Sequence, residues 1–113
     1  NVLGNGNQKK SYLHVNDCIE AIFKALIYKN NNYVNIYNLG NKNYISVKQS
    51  IKIILDNLKL NPKLKFQKQK RGWIGDVPFI LLDINKIKKT GWKPKFSIKE
   101  SIIDTLKFLK KKN

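Results

Sequence analysis

The stretch Arg71-Gly72-Trp73-Ile74-Gly75-Asp76 places a guanidinium, an indole, two glycines and a carboxylate within six positions. A guanidinium presents a planar fork of N–H donors to a phosphate, a carboxylate accepts from a hydroxyl, and glycine lets a backbone come close to a ligand. Together they suit a phosphorylated ligand with a hydroxyl beside its phosphate. The same residues equally suit a turn whose tryptophan is only an apolar plug. Arg71 is the one arginine in the chain, against 22 lysines, and Trp73 is one of two tryptophans. Lys10, just past a Gly4-Asn5-Gly6-Asn7 turn, is a second cation within reach of an anionic group.

No residue presents itself as a catalyst. His14, the sole histidine, lies on an expected strand that runs into a helix start, where a hydrogen-bonded structural role outweighs that of a general base. No serine or cysteine stands in a nucleophile setting, and no metal-ligand spacing occurs. Gly4-Asn5-Gly6 lacks the third glycine of a dinucleotide loop and leads into a strand rather than a helix. Cys18 is alone, so there is no disulfide framework; packing in a core and a reducing, cytoplasmic compartment are expected for it.

A chain of 113 residues with 42% hydrophobic content corresponds to one folded domain, too short for a two-domain enzyme. Its net charge of +16 would attract a phosphate polymer or an anionic membrane surface. The basic residues are almost all lysine and accompany an excess of Asn and Ile, which reads as compositional drift. A free-standing basic module for nucleic acid or another polyanion is therefore the secondary reading, with no recognition helix, zinc ligands or aromatic platform to support it. No apolar run approaches the roughly 20 residues of a membrane span. The chain opens without methionine, at what reads as the end of a strand, and a missing N-terminal part is expected.

The elements that must hold these residues follow from local chemistry. The glycine-rich turn at 4–7 predicts a hairpin, with Gln8 to Val15 resuming as an extended segment. Asn16 is the expected N-cap of a helix reaching about Lys29, with Asp17 in its first turn and apolar residues around a narrow polar stripe of Asp17, Glu20 and Lys24. Such a helix is buried on most sides. Tyr33 to Leu39 reads as a strand apolar on both faces, the pattern of a sheet sandwiched between helices, although the chain has too few strands to build one. Ser46-Val47-Lys48-Gln49 and Ser97-Ile98-Lys99-Glu100 have the form of capping boxes. The first opens a helix to about Leu60 with Val47, Ile51, Ile54, Leu55 and Leu58 inward. The second opens a final helix with Ile98, Ile102, Thr105, Leu106 and Leu109 inward and a fraying tail from Lys110 to Asn113. Between them are expected a short strand at Leu64 to Gln67, an extended Phe79 to Leu82, and a short helix over Ile84 to Lys89 capped by Asp83 and ended by Gly91-Trp92-Lys93-Pro94.

Five motifs in order carry a resemblance that covers essentially the whole chain: Gly4 to Asp17, Tyr37-Asn38-Leu39-Gly40, Arg71 to Val77, Leu82 to Ile87, and Gly91-Trp92-Lys93-Pro94. The sequence resembles the C-terminal part of nucleotide-sugar epimerases and dehydratases, the extended short-chain dehydrogenase/reductases, and looks closest to the UDP-glucose 4-epimerase-like branch. The resemblance implies an α/β fragment, the C-terminal lobe of an extended Rossmann-type epimerase, with about four helices and a few short strands. It implies an N-terminal Rossmann domain outside this chain that binds NAD and carries the catalytic tyrosine–lysine pair. It implies a UDP-linked sugar as partner, a reaction by transient oxidation of the sugar C4 hydroxyl, and leaves a homodimer open. Lys10 matches a family arginine that contacts the diphosphate. Asp76 matches a family aspartate on the ribose, while the phosphate-binding arginine expected three residues before it is replaced by Trp73, with Arg71 two residues earlier. The substrate-binding residues so implied are Lys10, Arg71 and Asp76, with Lys10 across the pocket from Asp76.

Overall fold

The computed structural model describes residues 1–112. In chain order it has β1 (Lys9–Lys10), α1 (Val15–Ile27), β2 (Ile45–Ser46), α2 (Val47–Leu58), α3 (Asn85–Lys88) and α4 (Ile98–Lys112). This is the expected α/β fragment of four helices and little strand. β1 pairs antiparallel with β2, Lys9 opposite Ser46 and Lys10 opposite Ile45. Gly4 and Gly6 do take positive φ, 75° and 77°. The expected hairpin does not follow, because Val2 bridges to Phe66 in parallel while the segment after the glycines takes β2 as its partner. The strand expected at 64–67 shrinks to a single bridge at Phe66, and the extended 79–82 segment carries one bridge, at Phe79.

Both capping boxes form. The Gln49 amide accepts the Ser46 N–H at 2.7 Å while Ser46 Oγ accepts that of Gln49 at 3.1 Å. Glu100 and Ser97 repeat the exchange at 2.7 and 3.2 Å. α2 stops at Leu58, short of the expected Leu60, because Lys59 turns left-handed (φ 55°) and the Leu60 N–H reaches back to the Leu55 carbonyl at 3.0 Å. α4 does not fray at Lys110, since it stays helical to Lys112 and its lysines suit the negative end of the helix dipole; Asn113 lies outside the described residues. The Asp83 carboxylate accepts the Asn85 N–H at 2.8 Å ahead of α3. Gly91, at φ 81°, provides the left-handed turn that leads away from α3.

α1 begins earlier than its pattern suggests. Its N-cap is His14, not Asn16: the His14 Nδ1 accepts the Asn16 N–H at 3.2 Å. With Nδ1 so used, the neutral ring carries its proton on Nε2, which faces Asp104 at 3.1 Å. The ring also stacks on Phe96 with centroids 3.9 Å apart. His14 is thus the structural histidine expected. Asp17 is not on a solvated stripe, being only 1% exposed. Its carboxylate accepts the backbone N–H groups of Lys95 and Phe96 at 3.0 and 3.1 Å, and its carbonyl accepts Trp92 Nε1–H at 2.9 Å. This knot fixes Trp92 beside Ala21, Ile84 and Ile87, the centre of the core.

Beyond that core the chain is open. Its radius of gyration is 16.9 Å, whereas a compact domain of this length has about 13 Å. α1 is covered on one side only: Ile19, Ile22, Phe23, Leu26 and Ile27 are all exposed, and Cys18 is half-buried rather than in the core. Tyr33 to Leu39 finds no ladder partner among the described residues, and Tyr33, Val34 and Ile36 stand in solvent. A pattern written for two covered faces needs layers that the described residues do not supply.

Replacing Asp17 by alanine leaves two backbone donors without their acceptor, a loss of about 3 kcal/mol; urea unfolding of D17A followed by Trp92 emission should show it, and an unchanged midpoint would refute the knot. The bare apolar faces should drive self-association. Sedimentation velocity across a concentration series should show growing oligomers, and a single monomeric species at every concentration would contradict this.

Candidate functional site

Gln8 and Lys10 are two residues apart on an extended segment and so share a face, and that face meets the loop holding Asp76. Lys10 Nζ lies 2.6 Å from Asp76 Oδ1 and 2.8 Å from the Val77 carbonyl. Asp76 Oδ2 accepts the Gly72 N–H at 2.9 Å and Gln8 Nε2 at 3.4 Å. The carboxylate is therefore sealed, with its side chain 1% exposed, while the Lys10 side chain is 24% exposed. An ammonium has three donors and two are occupied here, which leaves the third without a partner among the described residues. The Gly72 N–H and then the Lys10 ammonium hold the Asp76 carboxyl below the usual carboxylate range.

The loop owes its shape to that carboxylate. The Asp76 N–H bonds the Trp73 carbonyl at 3.1 Å, closing a four-residue turn, and Gly72 donates into the same acid. Gly4 allows the first turn to pack on this loop: a Cβ there would press on the Gln8 amide and lie 3.1 Å from the Arg71 carbonyl carbon. Arg71 itself is exposed. Its guanidinium reaches only the Ile74 carbonyl at 3.5 Å, and forms no ion pair among the described residues. The structure thus puts Lys10 and Asp76 in direct contact, where the width of a pocket was expected between them, and leaves the Arg71 side chain outside that contact. It adds Gln8, 4% exposed and bonded to both Asp76 and the Leu3 carbonyl at 3.2 Å. Alternation along the segment was the signal that could have found it.

Gln8, Lys10, Trp73 and Asp76 line one cavity of about 460 Å³ with Val2, Leu3 and other apolar neighbours. A larger cavity of about 600 Å³ runs between α2, α4 and residues 12–15, but no Lys, Arg, Asp or Glu lines it. Its one histidine is already used twice over, as cap and as partner of Asp104. Of these two the smaller has the chemistry: a cation with a spare donor, an acid bonded to it, and an indole.

The described residues do not fit a dinucleotide. Gly4 and Gly6 open a strand rather than a helix, so no helix N-terminus faces a phosphate there. A Tyr-x-x-x-Lys spacing does occur at Tyr44 and Lys48, yet it forms no catalytic pair. The Tyr44 hydroxyl faces Lys9 at 3.4 Å, while Lys48 lies over the Phe66 ring at 5.4 Å. Among the described residues no group of His, Cys, Asp and Glu is placed to hold a metal ion, and no helix is long and apolar enough to cross a membrane.

The family model described as GDP-mannose 4,6 dehydratase matches residues 1–105. The chain is 31% identical over 112 residues to a putative UDP-glucose 4-epimerase of Methanocaldococcus jannaschii, covering 99% of this chain and 34% of that protein. It is 30% identical over 108 residues to a probable GDP-L-fucose synthase of Oryza sativa subsp. japonica, covering 95% of this chain and 31% of the relative. The crystal structure of a UDP-glucose 4-epimerase from Thermotoga maritima, solved with UDP-glucose, superposes with a TM-score of 0.85 at 25% identity, over 98% of this chain and 34% of that one. The chain thus spans about a third of the length of the proteins it matches. With motifs, fold and relatives in agreement, the chain belongs to the GDP-mannose 4,6-dehydratase family, within the extended short-chain dehydrogenase/reductases that act as nucleotide-sugar epimerases and dehydratases.

Proposed function

We propose that this chain is the C-terminal, nucleotide-sugar-binding lobe of an NAD-dependent epimerase, taking a UDP-linked sugar and serving C4 epimerisation by transient oxidation. The observation that carries this reading is the Lys10–Asp76 pair, a 2.6 Å contact between residues 66 apart in sequence, set in a cavity large enough for part of a nucleotide. Its catalytic tyrosine–lysine pair and its NAD site lie in an N-terminal Rossmann domain outside these residues. NAD bound there supplies the hydride acceptor. The present residues bind and orient.

In this reading Lys10 meets the diphosphate with its third N–H, while Asp76 Oδ1 and the Val77 carbonyl each hold one of the other two. A lysine gives a point charge where the family arginine would give a fork, so Arg71, exposed and unpaired with any acid among the described residues, adds the second positive charge once the loop shifts. Held in this way the carboxylate is sealed, so Asp76 serves the nucleotide by positioning Lys10 rather than by accepting from a ribose hydroxyl. The uncovered α1 face and Tyr33 to Leu39 are where the Rossmann domain packs. A cytoplasmic location fits the family.

Isothermal titration of the protein with UDP at about 0.15 M salt should show saturable, salt-tolerant binding, weakened about tenfold or more in K10A because a hydrogen bond to a charged group is lost. Binding of single-stranded DNA with steep salt dependence, and none of UDP, would instead support a polyanion-binding module. Asp76 also predicts a pH signature. Its folded pKa is depressed, so its stabilisation is present above the unfolded carboxylate value of about 3.9 and is lost as pH falls through the folded one. The difference in melting temperature between wild type and D76N should be constant from about pH 5 to 8 and shrink below about pH 4; a difference that vanishes near neutrality would contradict the assignment.

A further inference from the structure

The two tryptophans sit in opposite environments. Trp92 is 1% exposed at the centre of the core, whereas Trp73 is 62% exposed. An indole used as an apolar plug is buried, and Trp73 is not. It stands instead on the wall of the cavity that holds Lys10 and Asp76. Indole and carboxylate belong to one turn, closed by the Asp76 N–H on the Trp73 carbonyl at 3.1 Å, and both line that cavity. Gly75 leaves the ring room to lie over the turn, since a Cβ there would come within 3.3 Å of the indole nitrogen. A flat, solvent-facing aromatic beside a cation with a spare donor is the surface that a nucleotide matches, with its π-face on the ring and its phosphates on the charge.

We propose that Trp73 is the stacking platform for the nucleobase of the bound nucleotide, so that this pocket holds its ligand by an aromatic face at the position where the resembling family places a phosphate-binding arginine. The proposal rests on the reading of the Lys10–Asp76 cavity as a nucleotide site. Stacking tolerates any base, because every base has a π-face. Affinity at this wall is therefore set by the presence of a ring more than by the identity of the base, and phosphate contact falls to Lys10 and Arg71.

The two tryptophans also supply the test. With Trp92 sealed, collisional quenching by acrylamide reports Trp73. UDP should protect Trp73 from acrylamide and shift its emission. W73A should weaken UDP binding about tenfold, the loss of one base–aromatic stack, while W73F keeps the affinity within about twofold. Inorganic pyrophosphate, which has no base, should bind W73A as it binds wild type. Trp92 emission in W73A confirms the fold. The proposal is overturned if W73A binds UDP like wild type, or if it loses UDP and pyrophosphate equally, since that would make the ring a structural support. If the wild type takes up pyrophosphate but shows no preference for UDP over it, the base platform fails while the phosphate site stands. If the wild type takes up neither, the nucleotide site itself fails and this proposal with it.

Discussion

The arrangement of the site depends on one buried carboxylate. Asp76 is excluded from water and compensated on every side, by the Gly72 N–H, the Gln8 amide and the Lys10 ammonium. A lone buried charge would cost several kcal/mol, and the fold meets that cost by drawing two distant segments onto the same acid. The first ten residues and the 71–77 loop are held together there, and the cavity between them exists because they are. The acid has a second effect. By fixing one donor of Lys10, while the Val77 carbonyl takes a second, it restrains the ammonium, which makes a partly exposed lysine into an oriented cation.

A second carboxylate plays the same part for the core. Asp17 accepts two backbone donors from the segment after Trp92, and its carbonyl takes the indole N–H. Around this knot sit only Ala21, Ile84, Ile87 and Trp92, with Leu13, Ala25, Tyr37 and Leu39 against them. So small a core leaves much apolar surface in solvent, and α1 shows it most plainly. Polar knots therefore carry a larger share of the architecture than in a closed domain. The two acids also divide the labour, one fixing what is packed and the other fixing what is presented.

Local rules read well from the residues. Ser46 with Gln49 and Ser97 with Glu100 announced two helix starts, and both capping boxes form. Gly91 announced the end of α3. What could not be read was whatever depends on partners far away in sequence. The turn of Gly4 to Asn7 has the chemistry of a hairpin, but a better ladder for Val2 lies at Phe66. The alternation of Tyr33 to Leu39 describes a covered strand, and no neighbour among the described residues completes it. Asp17 looked solvated because helical spacing puts it beside Glu20 and Lys24, while the donors that bury it come from residues 95 and 96. Lys10 and Asp76 were legible as candidates both from their chemistry beside turns and from the motif resemblance. Gln8 was missed for want of charge, and Trp73, which reads from the residues as an apolar plug, is 62% exposed.

The central claim is that the cavity around Lys10, Asp76 and Trp73 receives a nucleotide. Its most direct test is a titration of the isotope-labelled protein with UDP, followed by the backbone amide resonances. Saturable shifts should concentrate on residues 8–10 and 71–77, together with the indole N–H of Trp73 but not that of Trp92. Shifts spread over the lysine-rich helix surfaces, or confined to the groove between α2 and α4, would contradict it.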